Sequence, residues 1–169
     1  PGRQACDKER HQGSVCKAWQ KNPSLELMRY FITLSYDGTA YHGWQVQPHS
    51  ISVQETLQHA LSTVLRQPIE VVGAGRTDTG VHAKQLYVHF DSSNKVLSDN
   101  PNRALLSINS LLPYDISAQR IISVADDAHA RFDATSRTYQ YHITTCKDPF
   151  LHEFAYKWRG RMDVEKMNE

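Results

Sequence analysis

Between residues 73 and 83 the chain gathers Gly73, Gly75, Gly80, Arg76, Asp78 and His82 into eleven positions. Glycines in such a stretch allow positive φ and a close approach of backbone or ligand. Arg76 and Asp78 are two residues apart, so on extended backbone they project to one side, where a guanidinium keeps a carboxylate ionised. The plainest reading is a tight connection carrying a surface ion pair. A phosphate-cradling loop would need Lys-Ser or Lys-Thr after its last glycine, and Gly80 is followed by Val81 and His82. Asp78-Thr79-Gly80 also matches the Asp-Thr-Gly of aspartic proteases. Their paired carboxylates share a proton in a dry site, which a neighbouring Arg opposes, and Arg76-Thr77 stands where an apolar strand should lead in. In a third reading Asp78 is a permanently charged carboxylate acting on a sugar carbon, as glycosidase carboxylates do at an oxocarbenium-like centre. An ordinary Asp, with a pKa of about 3.9, is already charged at neutral pH.

The elements that must hold this loop follow from periodicity. Tyr30, Ile32, Leu34 and Tyr36 alternate with Phe31, Thr33 and Ser35, which predicts a first strand largely buried on both faces and ended by Asp37 and Gly38. An aromatic loop follows, from Tyr41 through His42, Gly43 and Trp44 to Gln45. Ser52 with Glu55 is a capping-box pair, and Val53, Leu57, Ala60, Leu61 and Val64 recur at helical spacing until Arg66, before Pro68. Ile69, Val71 and Val72 predict a short second strand leading into the glycine-rich loop, and Leu86, Val88 and Phe90 a third. Asn100 and Pro101 suit the first positions of a second helix, with Leu105, Ile108 and Leu112 on its buried side and Pro113 as its stop. Residues 116–124 read as a fourth strand. A fifth has Arg137, Tyr139, Tyr141 and Ile143 on one face and Thr138, Gln140 and His142 on the other. Asp163 would cap a last helical turn. The order β, α, β, β, α, β, β predicts an α+β fold of the split βαβ, ferredoxin or RRM-like kind, a mainly antiparallel sheet with helices on one face.

Composition bounds the rest. The chain has 169 residues, one ordinary domain with or without a tail, with 19 Lys and Arg against 18 Asp and Glu. Five of the bases and three of the acids precede Met28, so the remainder carries 14 against 15, a net charge of −1. That excludes a histone-like binder but not a locally basic cleft. Residues 1–27 show no period of 2 or 3.6 and read as a disordered or non-native leader, with Met28 as a possible natural start. Cys6, Cys16 and Cys146 form no disulfide framework, and Cys6, His11 and Cys16 lack a fourth ligand for zinc. A reducing, cytoplasmic setting fits, and no apolar run is long enough for a membrane span.

The segment Gly75-Arg76-Thr77-Asp78-x-Gly80-Val81-His82-Ala83 resembles the active-site motif of the tRNA pseudouridine synthase A family. Other blocks resemble the family in family order. They are Tyr36-Asp37-Gly38-Thr39-x-Tyr41-x-Gly43-Trp44-Gln45, Ser52-Val53-Gln54-Glu55, Asn109 with Leu112-Pro113, His129-Ala130-Arg131-Phe132-x-Ala134-Thr135, and Arg137-x-Tyr139-x-Tyr141. The resemblance runs from about Arg29 onward. It implies the N-terminal catalytic half of a pseudouridine synthase over residues 28–169, truncated before a second half that closes the cleft. It also implies Asp78 as the catalytic aspartate and uridines 38, 39 and 40 of the tRNA anticodon stem-loop as the target. Arg76 would help displace the base, Tyr139 would stack on it, and Arg131 would line the cleft or bind phosphate. The enzyme would act as a cytoplasmic homodimer on tRNA, with no membrane, no metal and no cofactor, because an isomerisation has no net redox change. Arg137 lies in a segment expected to face RNA. Trp44 and Gln45 would serve structure or RNA contact, and His82 and His129 would hydrogen-bond loops without a catalytic role. A non-catalytic RRM-like RNA-binding module is the competing reading, although no aromatic RNP1 pattern is found on a central strand.

Overall fold

A computed structural model describes residues 27–168. The aperiodic leader, with Cys6, His11 and Cys16, lies outside the described residues apart from Leu27. Four strands form an antiparallel sheet. β1 (Met28–Tyr36) sits between β3 (Ala83–Ser92) and β4 (Ile116–Ser123), and the two-residue β2 (Val72–Gly73) lies outside β3. Helices α1 (Val53–Leu65) and α3 (Pro101–Leu111), with the single turn α2 (Val96–Asp99) before α3, complete the body.

The helices cover one face. Val53, Leu57, Leu61 and Ile108 join Tyr30, Ile32, Leu34, Leu86, Val88 and Phe90 in one buried cluster. Burying each large aliphatic side chain there contributes about 1.5–3 kcal/mol. Strand alternation turns Phe31, Thr33, Tyr87 and His89 to the opposite face. Both helix starts follow the expected chemistry. Ser52 Oγ accepts from the Glu55 backbone N–H at 3.3 Å, and Asn100 Oδ1 accepts from that of Arg103 at 3.0 Å, with Pro101 next. α1 ends at Arg66 in the left-handed region, φ 54°. The buried side of α3 is Ala104 and Ile108, with Leu105 only half-buried.

The β1–β4 register slips at Gln119, because Thr33 faces Arg120 while Leu34 faces Ala118. Such a bulge takes backbone groups out of the ladder. Asn109 of α3 serves Ala118 there, donating to its carbonyl and accepting from its N–H, each at 2.8 Å. The family-like Asn109 is thus a helix-to-sheet tie.

The expected fifth strand does not join the sheet. Only Ile143–Thr144 (β5) is paired, in parallel with Tyr156–Lys157 (β6), before the terminal turn α4 (Val164–Met167), which Asp163 caps through the Lys166 N–H. Residues 134–142 belong to no ladder, and Tyr139 and Tyr141 are 63% and 92% exposed. Period-2 patterning fixes which side chains share a face but forms no ladder by itself, and the segment meets β3 through a side-chain bond, Lys84 Nζ donating to Gln140 Oε1 at 3.4 Å. The second expected strand is shortened likewise: Ile69 and Val71 are buried, but only Val72 and Gly73 pair.

Arg29 and Asp91 face each other across β1 and β3, with Arg29 Nε and Nη2 donating to the two carboxylate oxygens at 2.7 and 2.9 Å. The bidentate bond to Arg29 holds the Asp91 carboxyl below the usual carboxylate range. A depressed folded-state pKa gives stability that is full above the unfolded value, about pH 3.9, and lost as pH falls through the folded value. The pair is partly exposed, so its worth is about 0.2–1 kcal/mol. Asp91→Asn should therefore melt slightly below the parent at pH 7, and the gap should close toward pH 3; a gap constant with pH would assign the loss to packing instead of charge.

Candidate active site

The glycine-rich loop between β2 and β3 is held by the aromatic loop between β1 and α1. Trp44 N–H donates to the Thr77 carbonyl at 3.1 Å, and Gly80 N–H donates to the Tyr41 carbonyl at 3.3 Å. The Tyr36 hydroxyl, buried at the end of β1, lies 2.9 Å from Thr77 Oγ1. Burial raises the Tyr36 pKa, so this phenol stays protonated and available to hydrogen-bond. Tyr41, whose pKa is raised by burial and by Asp115, donates to Asp115 Oδ1 at 2.7 Å. Asp78 therefore lies between the tied residues Thr77 and Gly80 and is itself exposed.

Two glycines make this docking possible. Gly43 has φ +86°, and a Cβ there would stand 2.3 Å from the Thr77 carbonyl oxygen and 3.2 Å from the Asp78 carbonyl carbon. A Cβ at Gly38 would stand 2.1 Å from the Val81 carbonyl oxygen. Trp44, 3% exposed, lies across Gly73, so close that a Cβ would meet its indole at 2.7 Å. Trp44 is a core residue that seats the loop, the structural alternative of its two expected roles. Trp44→Ala should cost about 3–5 kcal/mol, the range for deleting a large buried aromatic, and thermal denaturation of the variant measures it.

His82 forms a hydrogen bond as expected of a loop anchor. Its Nδ1 is 3.1 Å from the Gly38 N–H and 2.9 Å from Asp37 Oδ1, so the neutral ring accepts from Gly38 and the Nδ1-protonated ring donates to Asp37. The Asp37 carboxyl is held low by two bonds from Thr39, with a smaller contribution from His82. His129 likewise binds its own turn, accepting at Nδ1 from the Arg131 and Phe132 N–H groups.

Arg76 and Asp78 lie on the loop itself, and Arg131 and Tyr139 lie on either side of Arg137, which bonds to the Ala74 carbonyl at its base. Arg76 and Asp78 are both exposed, and among the described residues no ion pair joins them. The expectation that Arg76 holds the Asp78 charge by direct pairing is corrected. Residues 76–78 belong to no strand, and a turn follows at once, the Val81 N–H donating to the Asp78 carbonyl at 3.2 Å. Tyr139 stands near enough to Tyr36 that charge repulsion between the phenols adds to the upward shift of Tyr36. Arg131 is exposed, and its carbonyl accepts from Arg137 Nη2 at 2.8 Å. Arg137 Nε and Nη2 also donate to the Ala74 carbonyl at 2.9 and 2.7 Å. The Arg137 guanidinium, in a segment expected to face RNA, bonds these two carbonyls and ties the Arg131 turn to the loop carrying Asp78. Nothing in the spacing of Arg137 indicated that link, because its partners are backbone atoms more than 60 residues away in one case.

Among the described residues no group of three or more His, Cys, Asp or Glu side chains converges as a cation site, and no helix is long and apolar enough to cross a membrane. Cys146 is an exposed free thiol.

No protein-family model matches the chain. Curated relatives do. The chain is 52% identical over 145 residues to the tRNA pseudouridine synthase A of Bacteroides fragilis, covering 86% of this chain and 57% of that protein. It is 53% identical over 143 residues to that of Bacteroides thetaiotaomicron, covering 85% and 52%. More distantly, it is 35% identical over 143 residues to that of Chlamydia muridarum, covering 83% and 54%. The chain spans about half the length of the curated relatives it matches. With the motifs in order and an exposed aspartate on a doubly anchored glycine-rich loop, the chain is similar over most of its own length to about half of each of these tRNA pseudouridine synthase A proteins.

Proposed function

We propose that the chain carries the aspartate-bearing half of a tRNA pseudouridine synthase, with Asp78 as its catalytic group. The observation that carries this is the placement of an exposed Asp78 between two tied neighbours, Thr77 and Gly80, in a chain about half-identical to proteins named for that activity. In the reaction the N1–C1′ bond of a uridine breaks, the uracil turns, and a C5–C1′ bond forms. C5 gives up its proton and N1 regains one, so neither oxidant nor water is consumed. Asp78 acts at the ribose, either by attack on C1′ to form an ester or by removal of the C2′ proton to give a glycal. The base is reached by extrusion from its stack at a cost of a few kcal/mol. Arg76 helps displace it and holds the opened backbone, Tyr139 stacks on it for about 1–3 kcal/mol, and Arg131 lines the cleft or binds phosphate. The substrate is tRNA, at uridines 38, 39 and 40 of the anticodon stem-loop, and the complete enzyme is a cytoplasmic homodimer. Residues 28–169 make one wall of the cleft, and relatives twice as long have the length to supply another.

The test is a chemical map of pseudouridine in bulk tRNA incubated with the complete protein and with its Asp78→Asn variant. Modification at 38–40 that vanishes in the variant supports the assignment. Unchanged RNA binding with no modification by either protein would favour the RRM-like binding module.

A further inference from the structure

On the open face of the sheet a second pair of side chains does a job that the reaction chemistry does not require of them. His89 of β3 is 6% exposed, and its Nδ1 accepts from the Ala130 N–H at 3.1 Å. The His129 ring meets it edge-on with centroids 4.5 Å apart, and Phe132 stacks on the other side of His129 at 4.1 Å. His129 Nδ1 accepts from both the Arg131 and Phe132 N–H groups at 3.2 Å. The turn is closed by the His129 N–H donating to Asp133 Oδ2 at 2.7 Å and the Asp133 N–H to the His129 carbonyl at 2.9 Å. Three successive backbone N–H groups, of Ala130, Arg131 and Phe132, are thus received by two imidazole nitrogens. A backbone N–H can only donate, so each Nδ1 must be bare and each ring proton must sit on Nε2.

We infer that His89 and His129 are positioning residues, a two-imidazole pin that works only while both rings are neutral and that sets the Arg131 turn against the sheet. Through the Arg131 carbonyl and Arg137, the pin also bears on the Ala74 carbonyl at the base of the Asp78 loop. The use of Arg131 toward RNA rests on the function proposed above; the pin itself does not. Protonation at Nδ1 would turn an acceptor into a donor facing another donor and release the turn. The groups facing His89 decide how acid that must be. Burial, His129 and Arg29 of β1 oppose its protonation, while Asp91 of β3 and Asp133 of the turn favour it, and the opposing set prevails. Freed from the turn, His89 takes up a proton at the ordinary histidine value of about 6.5 that the pinned ring resists, so its hold on the turn weakens as pH falls below that value.

Nitrogen-15 NMR of this chain at pH 7.5 should find both rings with Nε2 protonated and Nδ1 bare. On titration to pH 5 the amide signals of Ala130, Arg131 and Phe132 should move with the imidazole signals. Asn can offer Oδ1 where Nδ1 stands and does not titrate. Each single variant, His89→Asn or His129→Asn, should therefore keep the turn at pH 7.5, and the double Asn variant should keep it at pH 5 as well. The Ala variants should release it at every pH, read as trypsin cleavage after Arg131 faster by about tenfold, the change for 1.4 kcal/mol of lost anchoring. A ring protonated at Nδ1 at pH 7.5, turn amides indifferent to both titrations, or Asn variants no better than Ala would each overturn the pin. For the positioning role, His129→Ala should weaken tRNA binding by the same factor as Arg131→Ala, with His129→Asn restoring it; an effect of Arg131→Ala that His129→Ala does not share would overturn that role. If Arg131→Ala itself changes nothing while the NMR results stand, it is the RNA assignment of Arg131 that fails.

Discussion

On the function proposed above, Asp78→Asn should abolish pseudouridine formation by the complete protein while leaving tRNA affinity within about twofold, and stability within the ±0.5 kcal/mol or so usual for a surface change. Asp78 is exposed and enters no ion pair among the described residues, so its replacement by an isostere removes no packing and leaves no partner unsatisfied. The loop is held by Thr77 and Gly80 through backbone atoms that Asn does not disturb. What Asn lacks is a negative oxygen able to attack C1′ or take the C2′ proton. Removing a positioned acid–base group costs about 10²–10⁴-fold, and loss of a nucleophile costs at least as much. Turnover is measured by release of the C5 proton from tritiated uridine in tRNA, and binding by filter retention. A variant that turns over at the parent rate would exclude Asp78 from the chemistry, and one that no longer binds would make it a recognition residue instead.

The second large effect is expected from a residue that touches no substrate. Gly43→Ala places a methyl 2.3 Å from the Thr77 carbonyl oxygen and 3.2 Å from the Asp78 carbonyl carbon, in backbone with φ +86°. Left-handed backbone alone costs a non-glycine residue about 1–2 kcal/mol. The contact cannot be relieved by a rotamer, because both partners are main chain, so the two loops must separate. A displacement of about 1 Å at a catalytic group is enough for a 10²-fold loss. Gly43→Ala should therefore lose kcat by about that factor in addition to its stability cost. Gly80→Ala is the matched comparison: φ is +76°, but nothing lies within 4 Å of the added carbon. It should pay the backbone strain and keep most of its turnover. Equal losses in the two variants would show that conformational strain, and not the packed distance between loops, governs the site.

Much of this fold was legible because local chemistry and tertiary structure agreed. Ser52 and Asn100 cap helices because their side chains satisfy backbone donors that no helix can satisfy for itself. The alternation in β1 and β3 placed the core face correctly, since a strand half-covered by helices must present apolar residues at every second position. The stretch from Arg137 to Ile143 has the same alternation and forms no strand in this sheet. Periodicity reports the faces of a segment, whereas a ladder needs a second edge.

The candidate site divides in the same way. Residue types and spacing by themselves determined that Asp78 stands with Arg76 in a glycine-rich loop between two strands and that an aromatic loop precedes it, while the grouping of Arg131 and Tyr139 with them came from the family resemblance. They did not determine which polar groups meet. The Arg76–Asp78 pair looked obvious at a separation of two and is absent, while Arg137 reaches a carbonyl 63 residues away. Trp44 could have been an exposed stacking surface, and it is buried against Gly73. Local propensities act over a few residues and so leave a trace in sequence. Contacts of main-chain carbonyls, and the gaps left by missing Cβ atoms, are made between distant segments, and only the packed chain brings them together.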